Sequence, residues 1–237
     1  MPYKKSKARR TLSAEIEDIS KRVRKAQRKS VEPEIREYVF AAAIFLAHAA
    51  VENYIDDAFS SLASGIQSLS LKGSALPENL RVHLFLHKIN KKKIITAEIG
   101  LHPEHDTLEA INKSLKGHAG TIIDDSREIC PINGSDIYTN QKYPSKENLA
   151  KIFQRIGIPK IFEKLSASMK RDAESVLVSL GGLRTQLAHT GQIPGIAGKD
   201  VINKMKDVEG FIFAIDRTLY KYVAKNFKES TWHDNLA

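Results

Sequence analysis

Seven apolar residues in the last part of the chain recur at alternating steps of four and three positions. They are Val201, Met205, Val208, Ile212, Ile215, Leu219 and Tyr222. At 3.6 residues per turn, this spacing puts all seven on one face of an α-helix. The pattern predicts a helix over about 200–226 whose apolar stripe packs against other helices. No strand pattern of comparable strength is present, so we expect an all-α fold.

The rest of the chain divides into further helical patterns separated by turn residues. Gly65, Gly73 and Pro77 predict a loop over 64–78, and turn chemistry with little periodicity predicts a long loop over 125–145. The predicted helices cover residues 12–29, 33–63, 78–89, 106–118, 145–157, 159–167 and 168–189.

The segment 33–63 is apolar on nearly every face in its middle, which predicts a central, buried helix and a candidate oligomer contact. Its most apolar run is shorter than a bilayer is thick and contains His48. We therefore expect no membrane partner, and we expect His48 to be a core histidine whose polar atoms are satisfied.

The 237 residues predict a basic arm over 1–11, a single helical domain over 12–228 and a tail over 229–237. The net charge of +9 favours a nucleic-acid partner, although a membrane surface and simple solubility remain alternatives. The basic stretches 4–10 and 88–93 are expected to face solvent, with RNA backbone contact as the alternative. Because Cys130 is the only cysteine, no intrachain disulfide can form, and a reducing, cytoplasmic location is expected.

Arg184 and His189 are the candidate catalytic pair, on a helix expected to end at Gly191. Arg184 borders the apolar face, so its guanidinium needs a carboxylate, a carbonyl or a phosphate as partner. A histidine can transfer protons near neutral pH, and an arginine can stabilise a phosphate, which suits RNA cleavage without metal or cofactor. The alternative is ordinary helix-terminus chemistry, because Arg81 and His87 have nearly the same spacing.

Two histidine pairs were considered as metal ligands. His83 and His87 lie one turn apart, and His102 and His105 flank a short loop. Neither pair has an evident third ligand, so no metal site is expected. Phosphate-binding glycine loops and nucleotide-cofactor motifs are also absent from the sequence.

Three stretches carry a resemblance to a known family: "LGGLRTQLAHTG", "SKENLAKIFQRIGIPKIFEKL" and "IFLAHAAVENYIDDAF". Together they resemble the RiboL-PSP subgroup of the HEPN superfamily, whose signature is Arg, four to six residues, then His. The resemblance covers roughly residues 35–225. In the family, the residue after the arginine is often Asn and the residue after the histidine is often Gly; here they are Thr185 and Thr190.

The resemblance implies an all-α HEPN-like helical bundle, here with extra helices and long loops, which dimerises through its motif-bearing helices. It implies catalytic roles for Arg184 and His189 and no metal or cofactor. Thr185 and Glu52 are taken as supporting residues, Thr185 through its hydroxyl and Glu52 by orienting the catalytic pair; Glu52 could instead be the first solvated position of its helix.

The leading functional prediction is a metal-independent endoribonuclease that uses the RNA 2′-OH at a site shared across a homodimer. A toxin or antiphage-defence role would add an antitoxin or a defence-system protein as partner. The first alternative is a catalytically silent HEPN module that binds RNA or a protein. The second is a helical DNA-binding or scaffold protein in which Arg184 forms only a structural salt bridge.

Overall fold

The computed structural model describes residues 1–89, 94–95, 98–101, 103–139, 141, 143–191 and 195–237. Within these ranges the chain forms helices and no strand, so the all-α prediction is confirmed. A 3₁₀ turn at Gly73–Ala75 and a π-helix at Leu115–Ala119 accompany the α-helices. We number these α1 (Lys7–Ala26), α2 (Pro33–Ser68), α3 (Glu78–Lys88), α4 (Glu104–Ser114), α5 (Gly120–Ile123), α6 (Gly134–Tyr138), α7 (Lys146–Arg155), α8 (Ile161–Met169), α9 (Ala173–Thr190), α10 (Gly198–Asn226) and α11 (Glu229–Asn235).

Helix α2 is the centre of the bundle, as its sequence predicts. It packs against α1, α6, α9, α10 and α11. Ile44, Val51, Ile55 and Phe59 on this helix are almost completely buried. Each such side chain contributes about 1.5–3 kcal/mol by leaving water, so α2 organises the core on which the other helices assemble.

The apolar run lies in a longer helix than the sequence predicts, because α2 continues to Ser68 and has 36 residues. One 18-residue window of α2 has a mean hydropathy of 1.4, which meets the length and composition expected of a membrane span. Half of that window is buried inside the protein. Core helices of soluble proteins meet the same criterion, so the finding is weak evidence for a membrane location.

Helices α9 and α10 are antiparallel neighbours. Arg171, just before α9, forms an ion pair with Asp207, whereas Ser179 accepts a hydrogen bond of 2.7 Å from Lys204 Nζ. The residue numbers rise along α9 as they fall along α10. All seven residues of the predicted stripe on α10 are buried, and α10 also packs against α1, α2 and α8.

Gly65 does not end α2, so the predicted loop over 64–78 begins too early. A Cβ atom at Gly65 would lie 3.2 Å from Asn235 Cβ and 3.3 Å from Leu236 Cδ1. The glycine therefore lets α11 approach α2 closely, and tertiary packing outweighs its low helix propensity. The turn between α2 and α3 is shorter than predicted and contains the 3₁₀ segment.

The predicted long loop over 125–145 contains helix α6, which fastens it to α2. Asn133 and Asp136 form a capping box at the start of α6. Gly134 packs so closely on Ser60 that a Cβ atom would clash with the serine backbone. Tyr138 donates a hydrogen bond of 2.8 Å to Asp56. Residues 140 and 142 of this loop lie outside the described ranges.

Both ends of the described chain pack against the bundle. The predicted arm over 1–11 is partly helical, because α1 begins at Lys7 with Ser6 as its N-cap. The predicted tail over 229–237 contains α11, and the amino group of Met1 pairs with Glu229 at 2.6 Å. The division of the chain into domains stays a prediction.

Candidate RNA-binding and catalytic site

Helix α9 ends where the sequence predicts. Gly191 adopts a positive φ of 70°, and its N–H donates a hydrogen bond of 2.8 Å to Leu187 O. Glycine accepts this left-handed conformation at little cost, so the helix ends at Thr190 with Gly191 as its cap. Pro194, the other predicted signal for the break, lies outside the described residues.

The Arg184 guanidinium lies between two aromatic rings at the surface of α9. Its Cζ is 5.8 Å from the ring centroid of Phe45 on α2 and 6.0 Å from that of Tyr143, which precedes α7. The side chain is half-buried. Within the described part of the chain it forms no hydrogen bond and no ion pair. The rings hold the cation in place, but its N–H donors remain available to an anion.

His48 lies beside Arg184, inside the protein. Its ring centroid is 5.0 Å from that of Tyr143, and the residue is 4% exposed. Burial, followed by the charge of Arg184, holds the pKa of His48 below its usual 6.5, and Glu52 opposes this with a smaller effect. His48 is therefore a neutral imidazole at neutral pH. Its Nε2 atom finds no hydrogen-bond partner among the described residues, contrary to the prediction of a satisfied core histidine.

Glu52, predicted as a supporting residue, and Arg184 both act on the pKa of His48, in opposite directions. Sequence reasoning did not find Phe45 and Tyr143, and it did not assign His48 to the site. One signal was available: Phe45, His48 and Glu52 are spaced by three and four positions, which puts them on one face of α2. No periodicity could have identified Tyr143, because it reaches the site from a loop.

His189 is exposed in the last turn of α9, five residues after Arg184. Five residues correspond to about 140° around an ideal helix, so the two side chains leave α9 in different directions. Within the described ranges they form no hydrogen bond with each other. Thr185 is exposed beside Arg184. A single chain therefore does not bring the predicted catalytic pair together.

Exposed apolar side chains lie on both helices that meet at Arg184. They are Tyr38, Phe45 and Leu46 on α2 and Val178 on α9. A hollow of about 280 Å³ between α1 and α2 is lined by Tyr38 and Leu46 together with Ile19 and Arg22 of α1. At Gly181 and Gly182 on α9 an added Cβ would meet no atom within 4 Å, so the helix surface is open there. We call Tyr38, Phe45, Leu46, Val178, Gly181 and Gly182 the α2–α9 surface.

The histidines considered as metal ligands have other contacts. His83 Nε2 lies 2.9 Å from Asp136 O, and His87 Nε2 lies 3.3 Å from Asp136 Oδ1. Lys88 Nζ occupies the other carboxylate oxygen at 2.8 Å. His105 lies 3.6 Å from Asp106, and His102 is outside the described residues. Among the residues that the structure describes, no three metal-binding side chains come together.

The fold and the site define an all-helical domain with a half-buried arginine near the end of one helix and a buried histidine behind it. The family model described as RiboL-PSP-HEPN matches residues 10–221. The chain belongs to the RiboL-PSP-HEPN family, within the HEPN superfamily. HEPN domains commonly bind RNA and form dimers, and the superfamily includes ribonucleases. No curated protein and no solved structure matches the chain.

Proposed function

We propose that this protein is a metal-independent endoribonuclease whose site is completed by a second copy of the chain. The observation that carries the proposal is the Arg184 guanidinium, which is half-buried between Phe45 and Tyr143 and has no anionic partner within the described chain. A structural arginine in such a place needs a carboxylate or carbonyls. A phosphodiester supplies the missing acceptors, and the bidentate geometry of arginine suits it.

The chemistry needs one base, one acid and one cation. A base removes the proton of the 2′-OH, and the 2′ oxygen then attacks the adjacent phosphorus. The bond from phosphorus to the 5′ oxygen breaks, and the acid donates a proton to that oxygen. The products are a 2′,3′-cyclic phosphate and a 5′-OH. We assign the proton transfers to His189 and the stabilisation of the phosphorane oxygens to Arg184.

A second copy of the chain supplies a second His189, so the two proton transfers can be divided between two imidazoles. Two-fold symmetry would bring two copies of His189 and two of Arg184 to one groove, so that one imidazole acts as base and the other as acid. The α2–α9 surface supports this arrangement, because its large side chains are apolar and exposed and because one of them, Phe45, contacts Arg184. His48 and Glu52 then act behind Arg184 as positioning residues, and the Thr185 hydroxyl is available to a phosphate oxygen.

We also propose a cytoplasmic role as a toxin or defence effector, held in check by an antitoxin or another defence-system protein. The sole cysteine, Cys130, supports a reducing location because it is buried and free. The regulatory partner follows from the danger of an uncontrolled ribonuclease. The proposal that this partner is an antitoxin or a defence-system protein is based only on the resemblance to the family.

The direct experiment incubates the purified protein with mixed RNA in the presence of a chelator. We expect cleavage by the wild-type protein, and products that end in 2′,3′-cyclic phosphate. Arg184→Ala and His189→Ala should each lower the cleavage rate by at least about 10²-fold. Matched controls are Arg127→Ala and His118→Ala, which remove an arginine and a histidine from other exposed positions.

Three outcomes separate the alternatives. Cleavage that persists in both site variants would remove the assignment of Arg184 and His189. RNA binding without cleavage by the wild-type protein would favour a silent RNA-binding HEPN module. That second candidate is favoured by one observation, the separation of His189 from Arg184 within a single chain. Equal binding of DNA and RNA without cleavage would favour a DNA-binding or scaffold protein.

A further inference from the structure

A groove of about 910 Å³ lies at the far end of α10, between this helix, α8 and the start of α3. Four cationic side chains line it: Lys164 on α8, and Arg217, Lys221 and Lys225 on α10. Glu78 is the one acidic residue in its lining. We call this feature the basic groove. Its charge is strongly positive, whereas its floor at Ile156, Ile158 and Ala167 is apolar.

The lysines of the basic groove form no ion pairs with carboxylates in the described part of the chain. Lys164, Lys221 and Lys225 are exposed, and none forms an ion pair within the described ranges. Arg217 stacks on the Phe213 ring at 5.4 Å, which leaves its donors open. By contrast, Lys88 and Lys146 pair with carboxylates at 2.8 Å and 2.5 Å. Unpaired cations collected in one groove indicate an anionic ligand.

The spacing of these cations favours a strand over a small molecule. Arg217, Lys221 and Lys225 follow one another at steps of four residues, so they lie on one helix face about 6 Å apart. Together they span about 12 Å, a length along which a nucleic-acid strand with one phosphate per 3.4 Å presents several phosphates. A mononucleotide carries phosphate at one end and cannot meet all three cations.

The basic groove is separate from the Arg184 site. Because α9 and α10 are antiparallel, Arg184 lies beyond Ser179 and therefore near the start of α10, away from Lys221. At 1.5 Å per residue, the two sites are roughly 30 Å apart along the helix axis. This distance corresponds to about nine nucleotides of a helical strand that rises 3.4 Å per nucleotide.

We propose that the basic groove is a second RNA-binding site, which holds the phosphate backbone of a substrate strand about nine nucleotides away from the cleavage position. This inference rests on the proposed function, because it takes RNA to be the ligand. Tyr222, the only aromatic residue in the lining, is 6% exposed and offers no stacking platform. Binding in the groove is therefore independent of sequence and strongly dependent on salt.

The test measures RNA binding by fluorescence anisotropy across a range of salt concentrations. An Arg184→Ala protein is the parent, so that the RNA stays intact, and the RNA has about 30 nucleotides, enough to reach both sites. Lys164→Gln, Lys221→Gln and Lys225→Gln are combined in one groove variant, which leaves the stacked Arg217 in place. Removing three phosphate contacts should make the negative slope of log K against log salt shallower by about 2 and weaken binding about tenfold or more.

The matched control combines Lys72→Gln, Lys113→Gln and Lys116→Gln, three exposed lysines outside the basic groove with the same loss of charge. It should bind RNA nearly as well as the parent. Equal losses in the two triple variants would overturn the proposal, because net charge alone would then explain binding. A groove that binds adenosine 5′-phosphate, while the groove variant keeps full affinity for RNA, would also overturn it.

Failure of this inference can be told apart from failure of the proposed function. If the wild-type protein cleaves RNA and the groove variant in the wild-type background matches the control, only the basic groove is refuted. If the wild-type protein does not cleave RNA but the groove variant loses binding, the groove stands and the ribonuclease proposal falls. If the parent binds no RNA at all, both fall.

Discussion

Two charged side chains on neighbouring helices, Asp216 on α10 and Arg184 on α9, show how differently this fold treats a charge. Asp216 is completely buried. It accepts hydrogen bonds from Tyr3 at 2.7 Å, from the backbone and hydroxyl of Ser6 at 3.1 and 2.5 Å, and from Tyr54 at 3.0 Å. Arg184 is half-buried, and no acceptor meets its donors within the described chain.

The difference teaches which charge is structural and which is functional. A buried charge costs several kcal/mol unless its partners are present, and Asp216 has four donors that tie the N-terminal segment to α2 and α10. Arg184 avoids that cost by remaining partly in contact with water. We infer that Asp216 serves the folded chain alone, whereas the Arg184 guanidinium is open to an external anion at the site that a second copy of the chain is proposed to complete.

Asp216→Ala should have the largest effect and should act on stability. Removing the carboxylate leaves the hydroxyls of Tyr3 and Tyr54 without their acceptor, so we expect the free energy of unfolding to fall by about 3–5 kcal/mol. Urea unfolding measures it. The control is Asp18→Ala, which breaks an exposed pair with Arg22 and should cost less than about 1 kcal/mol. Equal losses of stability in Asp216→Ala and Asp18→Ala would show that the buried carboxylate of Asp216 has no special structural role.

Arg184→Ala should act on catalysis instead. Loss of the cation that stabilises the phosphorane should lower kcat about 10²–10³-fold. Because Arg184 has no ionic partner to lose within the described chain, the free energy of unfolding should change by less than about 1 kcal/mol. Single-turnover cleavage and urea unfolding of the same preparation measure both quantities. A stability loss as large as that of Asp216→Ala would show that Arg184 is structural.

The pKa of His48 gives a smaller but more local test. Removing Arg184 removes one of the two causes that lower this pKa, so it should rise in Arg184→Ala while staying below 6.5, because burial remains. NMR titration of the imidazole measures it, with Arg127→Ala as the control that should leave it unchanged. An unchanged pKa in Arg184→Ala would show that the two groups do not interact.

The same pKa makes stability depend on pH in a definite direction. Since the folded protein disfavours protonated His48, the unfolded chain binds more protons as pH falls below about 6.5. The free energy of unfolding should therefore fall as the solution is acidified from pH 7. This His48 contribution should be reduced in Arg184→Ala and lost in His48→Gln. If the free energy of unfolding changed equally with pH in the wild-type protein, Arg184→Ala and His48→Gln, the pH dependence would not come from His48.

Thr185→Ala should have the smallest effect. The hydroxyl is exposed, and one hydrogen bond to a phosphate oxygen is worth about 0.5–1.5 kcal/mol, so kcat/KM should fall by roughly 2- to 13-fold with no change in stability. Steady-state cleavage of a short RNA measures it. A loss as large as that of Arg184→Ala would give Thr185 a central role instead of a supporting one.

The sequence was most informative where local chemistry decides the structure. Ser145 caps α7, and Gly191 ends α9 with the conformation expected of it. Gly65 was misleading because its role is a contact between α2 and α11, which no local pattern contains. The buried position of His48 was predictable from the apolar run around it. Its interaction with Arg184 was not, because it depends on how α2, α9 and the Tyr143 loop pack together.

The central claim is that Arg184 and His189 act at one site shared by two chains, and a mixed dimer tests it most directly. Wild-type and Arg184→Ala/His189→Ala chains carrying different tags are expressed together, and the dimer that contains one of each is purified. If both copies complete the site, this mixed dimer should cleave RNA at background level, although it keeps one intact chain. A mixed dimer with about half of the wild-type rate, or a wild-type protein that cleaves RNA as a monomer, would contradict the account.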